Sequence, residues 1–440
     1  MYKENRIPDP RVISLTPASI RFLDSIGVWE KLDKNLIKFI KGMQIWESKG
    51  SSFVSLDIND LQSLKNHNFL INLFKKGKND LINLDFMDKI PDDYICALIE
   101  INHIVYHLQE ALGDRINIIR KSIQSDKLEI ENTDEYCYLT LLNNSTTSAE
   151  NSFQNESNNN NNNKNNNRKS EECFRTKLLV ASDGGNSLIR NKLKIQTTGY
   201  QYNETGLVCT LRGNRASDVA FQRFMHNGIF ALLPLYDNFF SIVCSMPKNI
   251  NEDLKNLDNE SFLRFVNNVL HNPSEMDTSK LDRLMRHNNY VQPPVIEEII
   301  SKKFEFNLQL QYANNPVNKN VVLIGDAAHM VHPMAGQGLN LGIMDSAFLA
   351  DEVVKALNTG RRLNDSRALQ DFTFRSQMNT RLMIATIESI KTVYRPSNSF
   401  VSAIRNFGMS LTNFSDSMRG LFILSASGIP AQPDKFSWEK

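Results

Sequence analysis

Residues Val321 to Ala350 read VVLIGDAAHMVHPMAGQGLNLGIMDSAFLA. Four apolar residues, Val321–Ile324, make a buried-strand run that stops at Gly325-Asp326. An acid at the carboxyl end of a parallel strand can accept hydrogen bonds from a ribose hydroxyl pair. A loop follows with Pro333, Gly336, Gln337 and Gly338, and then Leu339, Ile343, Ala347, Leu349 and Val353 recur at helical spacing. The glycines let backbone approach a flat ring or a pyrophosphate, and the new helix N-terminus favours an anion or an electron-rich oxygen. Singly, the pieces admit plainer readings. Gly-Asp after an apolar run is also a simple turn. GQGLNLG is not a dinucleotide fingerprint, because its third glycine stands one place too late. His329 and His332 have the spacing of a metal pair but no third ligand nearby, so a packing role is expected for both, and no metal site.

A second segment repeats this grammar. Leu178 to Arg190 read LLVASDGGNSLIR: an apolar strand, an acid at Asp183, two glycines, and a helical start at Ser187. Asp183 and the amides after it could hold a phosphate-bearing cofactor, with Arg190 along the helix. Alone, the same residues also describe a strand, an Asp-Gly turn and a capped helix.

Outward from these segments, Thr16-Pro17 opens a helix over Ala18–Ile26 that Gly27 closes. Met43–Trp46 and Phe53–Ile58 alternate like strands. Ile99–Leu112 has helical spacing and ends at Gly113, Ile116–Ile119 reads as a buried strand, and Leu128–Ile130 as part of a hairpin. Asn143 to Lys169 is almost wholly polar and contains six consecutive asparagines, Lys164, then three more. Such a tract cannot bury enough apolar surface to offset its ordering entropy, so a disordered insertion lengthening a hairpin between Tyr136–Leu142 and Lys177–Ala181 is expected. Strands alternate with helices only in places. The pattern predicts an α/β nucleotide-binding domain interleaved with a second, sheet-based domain.

Composition narrows the function classes. The chain has 440 residues with 50 Lys plus Arg against 49 Asp plus Glu, a net charge of +1. That balance argues against a nucleic-acid partner. No run of 18 uninterrupted apolar residues occurs; Ile229–Met246 is broken by Pro234, Asp237 and Asn238. The five cysteines are scattered without a Cys-x-x-Cys pair, which excludes a disulfide framework and a zinc ribbon. No G-x-S-x-G, P-loop or H-E-x-x-H occurs, so no catalytic residue can be named.

Together and in this order, the two segments resemble those of the aromatic-ring flavoprotein monooxygenases. Their D-G-x-x-S-x-x-R motif is matched by Asp183, Gly184, Ser187 and Arg190. Their G-D-A-A-H-x-x-x-P-x-x-G-Q-G-x-N motif is matched by Gly325 through His329, Pro333, Gly336, Gln337, Gly338 and Asn340. Within that family the chain most resembles the eukaryotic ubiquinone-biosynthesis group that hydroxylates ring carbon 5. RVISLTPASIRFLDSIGVW, MQIWES, FQRFMHNGIFALLPLYD and RNFGMSLTN all look like that group's segments. The resemblance implies FAD as cofactor and a para-hydroxybenzoate-hydroxylase-type Rossmann-like domain. It implies that Asp326 lies near the FAD ribitol and ribose, that Asp183 and Arg190 support FAD and reductant access, and that Pro333 and Gly336–Leu341 lie beside the isoalloxazine. Gly184, Gly325, Gln337, Gly338 and Asn340 share that cofactor-binding set, and Arg11 looks like the arginine that approaches the flavin from inside. Phe221 to Leu235 would cover the substrate.

The reaction so implied is hydroxylation of a polyprenylated phenol or benzoate through a flavin 4a-hydroperoxide. Dioxygen and electrons from ferredoxin and its reductase, or from NAD(P)H, would be consumed. A coenzyme Q biosynthetic complex and peripheral contact with the matrix face of the mitochondrial inner membrane are the implied setting. Packing helices remain the plainer use of Ile384–Tyr394 and Phe400–Leu424. The expected division is a discontinuous FAD-binding domain (1–42, 96–142, 170–200, 316–395), a substrate domain (43–95, 201–315), the insertion (143–169) and a C-terminal helical segment (396–440). The family also opens with a βαβ unit carrying G-x-G-x-x-G, and Arg11 stands where that unit should already have passed. On that ground the chain as written is expected to fold poorly and to bind FAD weakly or not at all. A missed first exon, a true fragment, and a catalytically inactive relative with a scaffold role in the biosynthetic complex are the three explanations.

Overall fold

The computed structural model describes residues 7–47, 53–66, 91–121, 123, 127–142, 171–271, 290–333, 336–394, 416–428 and 436–438. The Asn-rich tract and Phe400–Ser415 lie outside them.

The chain enters through β1 (Val12–Leu15) and α1 (Pro17–Ser25). Thr16 caps α1 by accepting a hydrogen bond from the Ser19 amide, Pro17 needs no donor partner there, and Gly27 turns the chain out at φ +69°. Next come β2 (Lys38–Ile40), β3 (Gly42–Glu47), β4 (Phe53–Asp57), α2 (Ile58–Asn66), β5 (Cys96–Glu100) and α3 (Ile101–Leu112). β6 (Leu128–Asn132), β7 (Cys137–Leu142) and β8 (Glu171–Thr176) form an antiparallel meander, and β9 (Leu179–Ala181) and α4 (Leu188–Lys192) follow. Then run β10 (Thr197–Gly213), β11 (Val219–Met225), β12 (Gly228–Pro234), β13 (Phe239–Pro247), α5 (Lys248–Asn256) and α6 (Asn259–His271). β14 (Ile296–Ile299), β15 (Phe304–Ala313), β16 (Val317–Asn318), β17 (Val321–Leu323), β18 (His329–Met330), α7 (Gln337–Asn358), α8 (Ser366–Tyr394) and α9 (Asp416–Ala426) complete the described order.

Two sheets position the site. β17 and β9 run parallel, with Leu323 opposite Ala181, so the two strand-end acids Asp326 and Asp183 emerge from the same end of one small sheet. The large sheet has nine strands, eight of them in the order β18-β15-β10-β13-β12-β11-β3-β4, with β14 paired to β10. Its two faces follow the period of two. Along β12, Phe230 and Leu232 point into a core with Phe240, Phe262 and Val266, where α6 covers the sheet. Ile229, Ala231 and Leu233 point the other way, into a cavity. β1, β5 and β2 make a third, antiparallel sheet.

Three sequence expectations are corrected. Ile116–Ile119 is not a buried strand: no strand pairs with it among the described residues, and Ile116, Ile118 and Ile119 are about half exposed. Apolar composition marks a strand only when neighbouring backbone is there to accept it. The hairpin partner of β7 is β8 rather than Lys177–Ala181; Leu142 faces Glu171, and β9 belongs to the parallel sheet. The first residues of Ile99–Leu112 belong to β5, and α3 starts at Ile101.

Candidate cofactor and substrate cavity

The chain at the end of β17 makes a single 3₁₀ turn over Gly325–Ala327. Gly325 takes φ +57°, and α7 crosses so closely that a side chain on Gly342 would sit 3.1 Å from the Gly325 Cα. The turn is fastened from α7 by Asp345, which is buried. Its Oδ2 accepts the Gly325 amide at 2.9 Å and bonds His329 Nε2 at 2.7 Å, while its Oδ1 accepts the Ser376 hydroxyl of α8 at 2.6 Å. Burial is the largest single influence and lowers the His329 pKa, but Asp345, with help from Asp326, raises it overall. His329 Nδ1 is buried with no hydrogen-bond partner among the described residues.

Asp326 itself faces the cavity. Burial pushes its carboxyl pKa up, with His329 pulling weakly the other way. A carboxylate desolvated in this way has acceptor capacity to offer a ligand hydroxyl. A few residues on, Gly336 caps α7 with φ +59° and no side-chain hydrogen bond, leaving the first α7 amides to the cavity side. Around Gly338 no atom would lie within 4 Å of an added side chain, so a flat ring has room to approach. Asn340 ties this helix start to the chain entry: Oδ1 accepts from the Thr16 amide (3.0 Å) and the Ser19 hydroxyl (2.7 Å), and Nδ2 donates to Ser14 O (2.7 Å) and Gly336 O (3.2 Å). Asn340 is buried and off the cavity wall, so its part is to hold the helix start in place.

The other segment is built differently. Asp183 is exposed and spends its oxygens locally, on the Ser187 hydroxyl (2.6 Å) and the Ile189 amide (3.2 Å) at the start of α4. Arg190 is buried; its Nη1 donates to Ala327 O at 2.9 Å and its Nη2 to Gly185 O at 2.5 Å, so it pins the two turns together. Burial lowers its pKa, opposed by Asp183. Gly184, at φ +83°, makes the turn, and Gly185 lies under Met330, whose sulfur would be 2.1 Å from an added side chain.

Behind this wall opens a cavity of about 2110 Å³. Asp326, Pro333, Gly336, Gln337 and Gly338 of the expected set line it, as does Arg11, which is exposed and paired with Asp9 at 2.9 Å. Asp183, Gly184, Arg190, Gly325 and Asn340 do not line it. The remaining wall is chiefly apolar, contributed by β3, β4, β11, β12 and β15 and by α8 and α9. Sequence reasoning missed Asp345 and Met330. Each acts on a partner remote in the chain, and no spacing rule reveals that.

The residues present fit the flavin end of FAD: an acid facing the cavity, an uncapped helix start, and space over Gly338. Among the described residues no group of three His, Cys, Asp or Glu could share a metal ion, and no helix is long and apolar enough to cross a membrane.

The FAD binding domain family matches residues 140–366. Among curated relatives, the mitochondrial ubiquinone biosynthesis monooxygenase COQ6 of Dictyostelium discoideum is 26% identical over 450 aligned positions, covering 96% of this chain and 82% of that protein. The Homo sapiens COQ6 monooxygenase is 28% identical, covering 92% and 79%. That of Schizosaccharomyces pombe reaches 33% over 58% of this chain and 57% of its own. Among solved structures, p-nitrophenol 4-monooxygenase PnpA from Pseudomonas putida superposes with a TM-score of 0.61 at 15% identity, covering 97% and 90%. P. aeruginosa PqsL with 2-aminobenzoylacetate superposes at 0.60 with 15% identity, covering 92% of each chain. These structures establish the α/β fold.

Proposed function

Because the chain belongs to the FAD binding domain family, we propose that it is an FAD-dependent monooxygenase of ubiquinone biosynthesis, hydroxylating the ring of a polyprenylated phenol or benzoate. One observation carries this reading: the acid-and-glycine wall that fits a flavin and the apolar sheet face bound the same cavity. FAD supplies the activation of dioxygen. The chain's own residues bind, orient and exclude water. Asp326 would accept from the ribityl region and the α7 amides would serve an electron-rich edge of the cofactor, while Arg190 joins the Asp183 turn to the Asp326 turn. Opposite them Ile229, Ala231, Leu233, Val243 and Met43 keep the ring's surroundings dry. A cavity of about 2110 Å³ exceeds a drug-sized pocket of ~300–1,000 Å³, which leaves room for a long apolar tail beside a flavin. No acid–base pair is called for, since the hard chemistry belongs to the cofactor.

The proposal extends to setting. The relatives are named as mitochondrial, and we place this chain there, on the matrix face of the inner membrane, with electrons from ferredoxin and its reductase or from NAD(P)H and a place in the coenzyme Q biosynthetic complex. Supporting a peripheral contact, Phe374, Met378 and Leu382 follow one another at four-residue spacing on α8, are 66%, 47% and 61% exposed, and stand on the cavity rim. The domain division proposed from the sequence places the flavin wall and the sheet in separate units; β10 runs without a break through residue 200 and joins them. The motif matches and the built cavity do not favour a scaffold without activity.

The test is direct. The full chain, supplied with FAD, reductant and ¹⁸O₂, should add one labelled oxygen atom to a short-chain prenylated 4-hydroxyphenol. A flavin-loaded protein that reduces and reoxidises without labelling any such phenol would remove the substrate assignment. A chain that never takes up FAD would remove the enzyme reading.

A further inference from the structure

Outside the cavity, one group of buried titratable side chains has no part in the chemistry above. β10 and β15 slip register between Gln201 and Thr205, and within that slip Tyr202 and Glu204 turn toward α8 and toward His332. Lys391 Nζ of α8 reaches Glu204 Oε2 at 2.9 Å, and its side chain is only 7% exposed. His332 Nε2 lies 3.3 Å from the same oxygen, with its ring fully buried. Lys391 also sits 3.7 Å over the Tyr202 ring, and that ring stands edge-on to His332 at 5.0 Å. Glu388, one turn before Lys391, accepts from both Tyr200, at 2.6 Å, and Tyr202. The neighbours of His332 in the chain, Val331 and Pro333, line the cavity, as do Ile387 and Ile390 beside Lys391. The cluster therefore lies directly behind the wall against which a flavin would rest.

We propose that Glu204, Lys391 and His332 form a buried latch that sets Pro333 against the cofactor, the three acting as positioning residues for FAD. The inference rests on the FAD reading above. One carboxylate oxygen serves both a cation and an imidazole, and the order of charges matters. Lys391 neutralises Glu204, so Glu204 takes the N–H of a neutral His332 without drawing a second proton onto it. Among the described residues, the facing groups are Glu204, Tyr202 and Tyr200 from β10 and Glu388 and Lys391 from α8. The electrostatics agree: burial, then Lys391, keep the His332 pKa below its ordinary value against the pull of Glu204, while His332 and Lys391 hold Glu204 down to about 2 despite its burial. The wild-type latch is then unchanged across the physiological range. Without Lys391, Glu204 becomes a lone anion that favours the imidazolium form of His332, which takes its proton from solvent.

The experiment compares the full chain with Lys391→Met, Lys391→Arg, Glu204→Gln and the double variant Lys391→Met/Glu204→Gln. FAD binding is titrated by flavin fluorescence between about pH 6.5 and 8.5, above the ordinary histidine value, and the ring proton of His332 is followed by NMR on histidine-labelled protein over the same range. We expect the wild-type dissociation constant to be flat in pH. Lys391→Met should weaken FAD about tenfold, the size of one lost charge-assisted contact, and introduce an acid-side inflection that coincides with the His332 titration. Lys391→Arg should restore a flat profile. The double variant, which leaves no unpaired charge, should be flat and intermediate in affinity. A merely structural loss would lower affinity equally at every pH. Folded variants with wild-type FAD affinity, or a Lys391→Met protein whose His332 titrates as in wild type, overturn the latch. Should the wild-type chain bind no FAD, the cofactor reading falls and the positioning role with it, whatever the His332 titration shows.

Discussion

Asp183 and Asp326 leave neighbouring parallel strands at the same end of one sheet, each followed by glycine-rich chain and a helix, yet the two turns are held in opposite ways. Asp183 is exposed and satisfied within six residues, by Ser187 and Ile189. Asp326 is exposed as well, on the cavity side, and makes no such local bond among the described residues; partial burial raises its pKa, and its turn is held from a distance by Asp345, Ser376 and Gly342. The first acid shapes its own helix start. The second is kept in place by others and so has its acceptor oxygens left for a ligand. The same short pattern thus gives a cap in one place and a binding group in the other, according to what packs behind it.

Breaking the remote fastening should have the largest effect. Asp345→Ala leaves His329 buried without its counter-charge and the Gly325 amide without an acceptor. A loss of about 3–5 kcal/mol is expected, read as a lowered midpoint in urea unfolding. A loss under 1 kcal/mol would show that the Asp326 turn supports itself as the Asp183 turn does. Next comes Asp326→Asn, which should weaken FAD by about ten- to a hundredfold in a fluorescence titration while the fold survives. Asp183→Ala should cost about 1 kcal/mol of stability, the value of a helix-capping side chain, with FAD affinity held within about twofold. If the affinity ranking of these two variants came out reversed, the contrast would be wrong.

The smallest effect is one of pH. The Asp326 carboxyl is raised in the folded state, so the fold binds its proton more tightly than the unfolded chain does. Its contribution to stability is greatest below the unfolded value of about 3.9. That contribution falls as pH rises through the raised folded value, and then levels off. Asp326→Asn should therefore unfold at a slightly higher temperature than wild type at neutral pH when no FAD is present, and at the same temperature in acid. An equal midpoint at neutral pH would remove the claim that this acid is strained by burial.

How much of this was readable beforehand follows from the distance over which each interaction acts. Val321–Ile324, the α7 periodicity and the Thr16 cap are local, and each lies within a residue or two of its expected place. The cavity-lining share of the expected site, Asp326, Pro333 and Gly336–Gly338, sits on that local frame. What failed depended on neighbours. Ile116–Ile119 has strand composition but no paired strand, and Lys177–Ala181 sits beside β17 instead of closing the hairpin. Asn340 also ties the α7 start to Ser14, Thr16 and Ser19, more than 300 residues away, which its motif position does not announce. Glu204 meets His332 across 128 positions and Lys391 across 187. No period or spacing in the chain announces such meetings.

β10 carries a last consequence. Among the described residues, its first part, Thr197–Gln201, pairs only with β15, whereas Thr205–Val208 pair with both β15 and β13. One strand is therefore an edge for the first part of its length and the middle of a sheet for the rest, with the register slip as the frontier. Backbone amides before the slip should exchange with solvent through local opening, and those after it only when the whole sheet lets go. The protein should come apart in two cooperative steps, the α8 side first, with the large sheet outlasting the wall that faces it.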